Sequence, residues 1–197
     1  MTLRPPFGLA LTVAVWLVCA ASLVLLVATR SVSEDVAYAP WLLLAGYAMW
    51  MVFWAPAVVI EDRDVRLRNV ARTRVVAWSA IHEVETRYNL TLVTESGSFG
   101  AWAAPAPGAL SAIRGRQQPA EHLPGSTYGP GRTIGIGDLP HSESGVAAYH
   151  VRRGLELRDD GRLPADDGRV VTTWHRAELG VLLAGLCLSM LLTAFAR

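Results

Sequence analysis

Residues 64–105 read DVRLRNVARTRVVAWSAIHEVETRYNLTLVTESGSFGAWAAP, and the fold turns on how this stretch is parsed. Val65 and Leu67 alternate with Arg66 and Arg68, the period of a strand with one face buried. A polar turn around Asn69 to Thr73 separates this run from a second one, Val75-Val76-Ala77-Trp78. Ile81 and Val84 lead into Tyr88–Thr94, where Leu90 and Leu92 share a face. Glu95-Ser96-Gly97-Ser98 has the composition of a hairpin turn, and Phe99 to Ala104 is the returning strand. From Val58 to Pro105 the pattern is therefore a meander of about four or five strands. Trp78 and Trp102 read as its large core residues.

Beyond Pro105 the composition changes. Residues 105–140 hold six of the eleven prolines and seven of the seventeen glycines, the signature of a long irregular loop. A helix is expected from about Ser142 to Asp159, with Ser142 or Ser144 as N-cap. Its apolar stripe is narrow: Ala147, Val151 and Leu155 at intervals of four. Asp159-Asp160-Gly161 stops it, and an acidic connector with Gly and Pro follows.

Outward from this polar region lie three stretches without a single charge, 7–29, 36–60 and 179–196, although 18% of the chain is charged. A helix over 7–29 would span about 34 Å, enough to cross a hydrocarbon core of about 30 Å. Its apolar run exceeds the usual signal-peptide length, so a retained span is expected. The second stretch starts near Pro40 and contains Pro56, with Trp41 and Trp54 at the levels of an aromatic belt. The third is near the lower length limit for a span. Arg63, Arg66, Arg68, Arg72 and Arg74 follow the second stretch directly, whereas the loop before it has only Arg30 against Glu34 and Asp35. The positive-inside rule then puts the N-terminus and residues 61–177 in the cytoplasm of a bacterial cell, in a multi-pass plasma-membrane protein.

The order of two apolar spans, then DVRLRN, TRVVAWSAIHEV and LTLVTESGSFGAWAAP, resembles the small bacterial pleckstrin-homology-like (PH-like) domains of actinobacterial membrane proteins. Val65, Leu67 and Asn69, then Trp78, Ser79 and Ile81, then Gly97, Phe99, Ala101 and Trp102 carry the likeness. The helix from about 142, with Arg152-Arg153 inside it, is similar to the helix that closes such domains. The likeness covers 58–105, extends thinly over 142–160 and leaves 106–140 unaccounted for. It implies a curled β-sheet capped by a helix, usually without catalysis, and does not fix a ligand.

The expected architecture is an α+β membrane protein. Residues 1–60 form a transmembrane hairpin with spans at about 7–29 and 38–60. Residues 61–160 form the cytoplasmic PH-like domain with its loop at 105–140, 161–177 the connector, and 178–197 a third transmembrane helix. Several chemistries are excluded or weak. There is no lysine for a P-loop, a kinase or a Schiff base. Cys19 and Cys187 both lie in apolar stretches, leaving the polar part without a thiol. His82-Glu83 opens like a zinc motif but has Thr86 where the second His belongs, and Glu61, Asp62 and Asp64 stand among arginines that can pair with them. Gly129–Asp138 lacks the Gly-Lys ending of a phosphate loop and reads as a flexible loop. His122, His141, His150 and His175 are scattered with no nucleophile beside them. No ionisable side chain lies in a span, as a transporter acting alone would need. A net charge of +1 argues against nucleic acid.

The expectation is a non-catalytic protein with no cofactor, no metal site and no small-molecule substrate. It would present a PH-like module to a protein partner or to the anionic membrane surface. Arg63, Arg66, Arg68, Arg72 and Arg74 are the candidate contact residues. A peptide strand added at a free sheet edge is another mode open to such folds. The alternative is an accessory subunit of a membrane enzyme or transporter.

Overall fold

The computed structural model describes residues 1–28, 38–108, 127, 135–139 and 142–195. The chain forms two units, Met1–Pro5 with Pro56–Thr173, and Pro6–Ala55 with Trp174–Arg197.

The first unit is built on two sheets. Strands β2 (Ala57–Ile60), β3 (Asp64–Arg68) and β4 (Arg72–Ala77) form an antiparallel meander. Strand β1 (Thr2–Leu3) adds to the far side of β2, with Thr2 opposite Val59 and Leu3 opposite Val58. Strand β8 (Val170–Trp174) completes the order β1-β2-β3-β4-β8. The second sheet joins β5 (Glu83–Glu85), β6 (Asn89–Thr94) and β7 (Gly97–Pro105), with Gly97 in the turn at φ 126°. The alternation read from the sequence is visible in β3, where Val65 and Leu67 are fully buried, and in β6, where Leu90 and Leu92 are. Helix α3 (Glu143–Asp159) closes both sheets, capped by Ser142, whose Oγ accepts the Gly145 N–H at 2.9 Å. Ala147 and Val151 are buried in the common core with Leu155 packed at its rim, the expected stripe.

Four expectations need correction. The connector between α3 and the last helix contains β8, because Val170–Trp174 is β-branched and apolar enough to extend the sheet. The first residues belong to the sheet as well, as β1. Trp102 is no core residue but 54% exposed, since it alternates with buried Ala101 and Ala103 along β7. The flexible-loop reading of Gly129–Asp138 meets an ordered 3₁₀ turn at its end, Ile136–Asp138; residues 129–134 lie outside the described residues.

The second unit holds helices α1 (Pro6–Ala28), α2 (Ala39–Met49), which ends in a π turn at Trp50–Trp54, and α4 (Arg176–Phe195). Trp16 Nε1 donates to Gly46 O at 2.9 Å and its ring stacks on Trp54 at 5.8 Å, fixing α1 against α2. Tyr47 Oη donates to Glu178 O at 3.2 Å, joining α2 to the start of α4. Helices α1 and α4 are long and apolar enough to cross a membrane; Ala39–Trp54 is shorter. Against three expected spans, two are candidates. The uncharged run 36–60 proves composite, because Pro56 follows the helix and Ala57–Ile60 is a strand apolar for a different reason, burial in a sheet.

At the centre of the first unit stands Trp78, 1% exposed. Its ring lies over Gly154 of α3 so closely that a Cβ there would come within 2.3 Å of Cη2. Its Nε1 donates to Glu61 O at 3.0 Å, and its carbonyl accepts from Arg158 Nη1 at 2.8 Å. Next to it, Asp166 receives the Ser79 hydroxyl and, at 3.0 Å, the Ser79 N–H, which ties the segment leading to β8 onto the 3₁₀ turn Trp78–Ala80.

Two outcomes follow. Gly154→Ala overpacks the Trp78 contact and should cost about 1–3 kcal/mol, read from chemical denaturation of the full chain in detergent, whereas Gly180→Ala, with open space around its Cβ and no positive φ, gives no steric clash of this kind. For Asp166, burial pushes the carboxyl up, but hydrogen bonds from Ser79 and Gly168 and the Arg158 charge outweigh it and hold the pKa below the ordinary 3.8. The unfolded chain therefore binds the proton first, so the contribution is whole above that ordinary value and lost as pH falls through the lowered one. An NMR titration of the Asp166 carboxyl should show a midpoint below that of a model peptide, and Ser79→Ala should raise it.

Candidate binding surface

The five arginines that follow α2 do not form one patch. Pairing across the meander sets Val58, Leu67 and Arg74 in one row and Val59, Arg66 and Val75 in the next. Successive rows face opposite sides of a sheet, so Arg74 lies on the side of buried Leu67, with Arg72 two residues away on the same side. Arg66 and Arg68 point to the other side. Arg63 stands exposed in the β2–β3 turn.

Their electrostatic states differ too. Arg66 is neutralised by Glu61 at 2.8 Å and Asp64 at 3.1 Å, and the Asp64 hydrogen bond raises its pKa. Arg74 is laid over the Phe99 ring, 4.3 Å from guanidinium carbon to centroid. Burial, and then repulsion from Arg72, lower its pKa. The Nε atoms of Arg68 and Arg74 are buried without a hydrogen-bond partner. Asn69, at the hairpin tip, donates Nδ2 to Gly100 O and accepts the Trp102 N–H through Oδ1, each at 2.8 Å. One side chain thus replaces a strand partner along β7 and joins the two sheets.

A second polar centre lies outside the sequence-based expectations. Arg152, on α3 and only 7% exposed, donates Nη1 to Asp138 Oδ1 at 2.5 Å and Nη2 to the Val84 carbonyl of β5 at 2.9 Å. Thr127 Oγ1 lies 3.5 Å from Nη1. The Asp138 side chain is 11% exposed, so this is a buried pair. Removing one member of such a pair typically costs about 3–5 kcal/mol, because a charge is left uncompensated. The turn carrying Asp138 is seated by Gly137, whose carbonyl accepts from Ser144 Oγ at 2.6 Å and Ser142 Oγ at 3.1 Å. Any Cβ at Gly137 would fall 1.7 Å from Thr86 O, so only glycine permits this approach. The sequence does carry a signal of it: Ser144, Ala148 and Arg152 recur every fourth residue beside the apolar stripe, and an arginine in that register requires an acid from elsewhere in the chain.

His82 is half exposed and 3.8 Å from Glu95, and among the described residues no three His, Cys, Asp or Glu side chains gather as a metal site would need. Open polar hollows lie beside Ser79, His82 and Thr94 and beside Arg63, Asp166 and Arg169, without convergent charge of one sign.

No curated protein and no solved structure matches the chain. Residues 55–124 match the family model of the bacterial PH domain. The matched stretch takes in β2 to β7, the two sheets that Asn69 and Trp78 hold together. The match supports a bacterial PH domain-containing protein, with β2 to β7 inside the matched stretch.

Proposed function

We propose that this chain is a membrane-anchored, non-catalytic binding protein whose PH domain engages a protein partner at the cytoplasmic face. The observation that carries the anchoring is the state of α1 and α4. Their most apolar windows have mean hydropathy 2.6 and 2.0, yet only 6% of each is buried. So much uncovered apolar surface is stable in lipid rather than in water. The arginines from Arg63 onward support a cytoplasmic side for the sheet.

A protein partner suits the arginines better than a flat anionic surface does. Arg66 is already paired, and Arg66 and Arg68 point away from Arg72 and Arg74, whereas a membrane collects charge from one side. The second reading, contact of Arg63, Arg66, Arg68, Arg72 and Arg74 with anionic head groups, is favoured by Arg63, which stands exposed in the β2–β3 turn. An accessory subunit is the stoichiometric form of the first reading, with the partner a membrane enzyme or transporter.

The test is a photo-crosslinking residue at position 63 or 68 of the full chain in its own membranes, beside nanodiscs of neutral and anionic lipid. The expected result is a discrete cross-linked protein, with hydrogen exchange at 63–74 indifferent to lipid charge. Absence of any protein adduct, with anionic lipid protecting 63–74 in a salt-sensitive way that Arg68→Gln and Arg74→Gln abolish, would overturn it in favour of the second reading.

A further inference from the structure

The seat around Arg152 has properties that a purely structural pair does not require. A buried arginine and aspartate add little over an apolar pair of the same volume. Their distinctive property is exchange: any carboxylate brought to the same place satisfies the guanidinium equally well, and nothing uncharged does. Here the two members come from different elements. Arg152 belongs to α3 and already holds the carbonyl of Val84, so it stays with the domain core. Asp138 belongs to the short turn Ile136–Asp138, which the sequence places at the end of the Pro- and Gly-rich stretch. The turn touches the core through main-chain groups, Gly137 against Thr86 O and the Gly137 carbonyl against Ser142 and Ser144. The Leu139 carbonyl likewise accepts from Ser142 N–H at 2.9 Å and from Ser142 Oγ at 2.8 Å, so the contacts among the described residues read a backbone and one carboxylate, hence a small residue followed by an acid.

We propose that the space between the end of β5 and helix α3 is a recognition site for an extended acidic peptide carrying a Gly-Asp step, and that the chain's own Gly137-Asp138 occupies it in cis. The partner displaces the turn and places its carboxylate on Arg152. Because Arg152 is buried, leaving it empty is strongly unfavourable, so release of the turn and entry of the peptide are coupled. The inference deepens the protein-partner reading above and rests on it.

The test uses the full chain in nanodiscs and a fluorescent peptide with the sequence of residues 133–141, TIGIGDLPH, beside the same peptide with Asn in place of its Asp. Two variants open the site by different routes. Asp138→Ala removes the cis carboxylate, and Gly137→Val drives the turn from Thr86 while keeping Asp138 in the chain. Each should bind the Asp peptide at least about ten-fold tighter than the unaltered chain does. The Asn peptide should bind at least about ten-fold more weakly than the Asp peptide, and adding Arg152→Met to Asp138→Ala should abolish binding. Cooperative unfolding is recorded for every variant. If Asp138→Ala fails to fold, Gly137→Val decides. Loss of folding in both, folded variants with no gain in affinity, equal binding of the Asn peptide, or binding that survives Arg152→Met each reduces the pair to a structural clasp and overturns the proposal. The broader reading fails separately, by the absence of any protein adduct in the crosslinking experiment.

Discussion

The contact between the Trp78 indole and the bare backbone of Gly154 governs how this domain closes. Two small sheets offer a core of modest side chains, Val58, Val65, Leu67, Leu90 and Leu92 among them, and one helix must cover them all. A tryptophan in the middle would hold that helix at a distance unless the helix had a gap in register with it. Gly154 is that gap. The buried ring then carries its polar atoms to two different partners, Glu61 by the indole N–H and Arg158 by the Trp78 carbonyl, so no donor is lost in the core. Two further closures lie beside this point, the tie from Asp166 to Ser79 and the approach of β8 to β4.

Much of this architecture is legible in the order of the residues. The alternation in β3 and β6, the hairpin turn at Gly97, the Ser142 cap and the stripe Ala147-Val151-Leu155 are local features, and local physics determines them. What escapes such a reading depends on partners remote in sequence. Strand β1 is two residues long and has no period to detect. Strand β8 is hidden in a polar connector because its apolar residues are few and its role is to lengthen a sheet rather than to fill a core. The run 36–60 misleads for the opposite reason, since lipid and a sheet interior select the same residues and hydropathy does not separate a helix end from the strand that follows. The arginines illustrate a further gap. Their density in sequence suggests one patch, but the turn between β3 and β4, Asn69 to Ala71, sends those before and after it to opposite sides of the sheet.

The domain spends its polar groups on joints. Asn69 stitches the two sheets, Arg152 binds a strand edge to a turn, and Asp166 fixes the return of the chain. Each lies where backbone groups would otherwise end without a partner, which is why short side chains with well-placed oxygen or nitrogen atoms, and glycines that let main chains approach, recur at these positions. Apolar burial makes the core cohere; these joints decide which of its possible closures is adopted.

The pairing of Thr2 and Leu3 with Val59 and Val58 also has a consequence in time. These residues are the first of the domain to be synthesised, and their partners follow only after α1 and α2 have been made. The sheet therefore gains its outer strand only after α1 and α2 have been made, and its two halves are held together by residues made far apart in time.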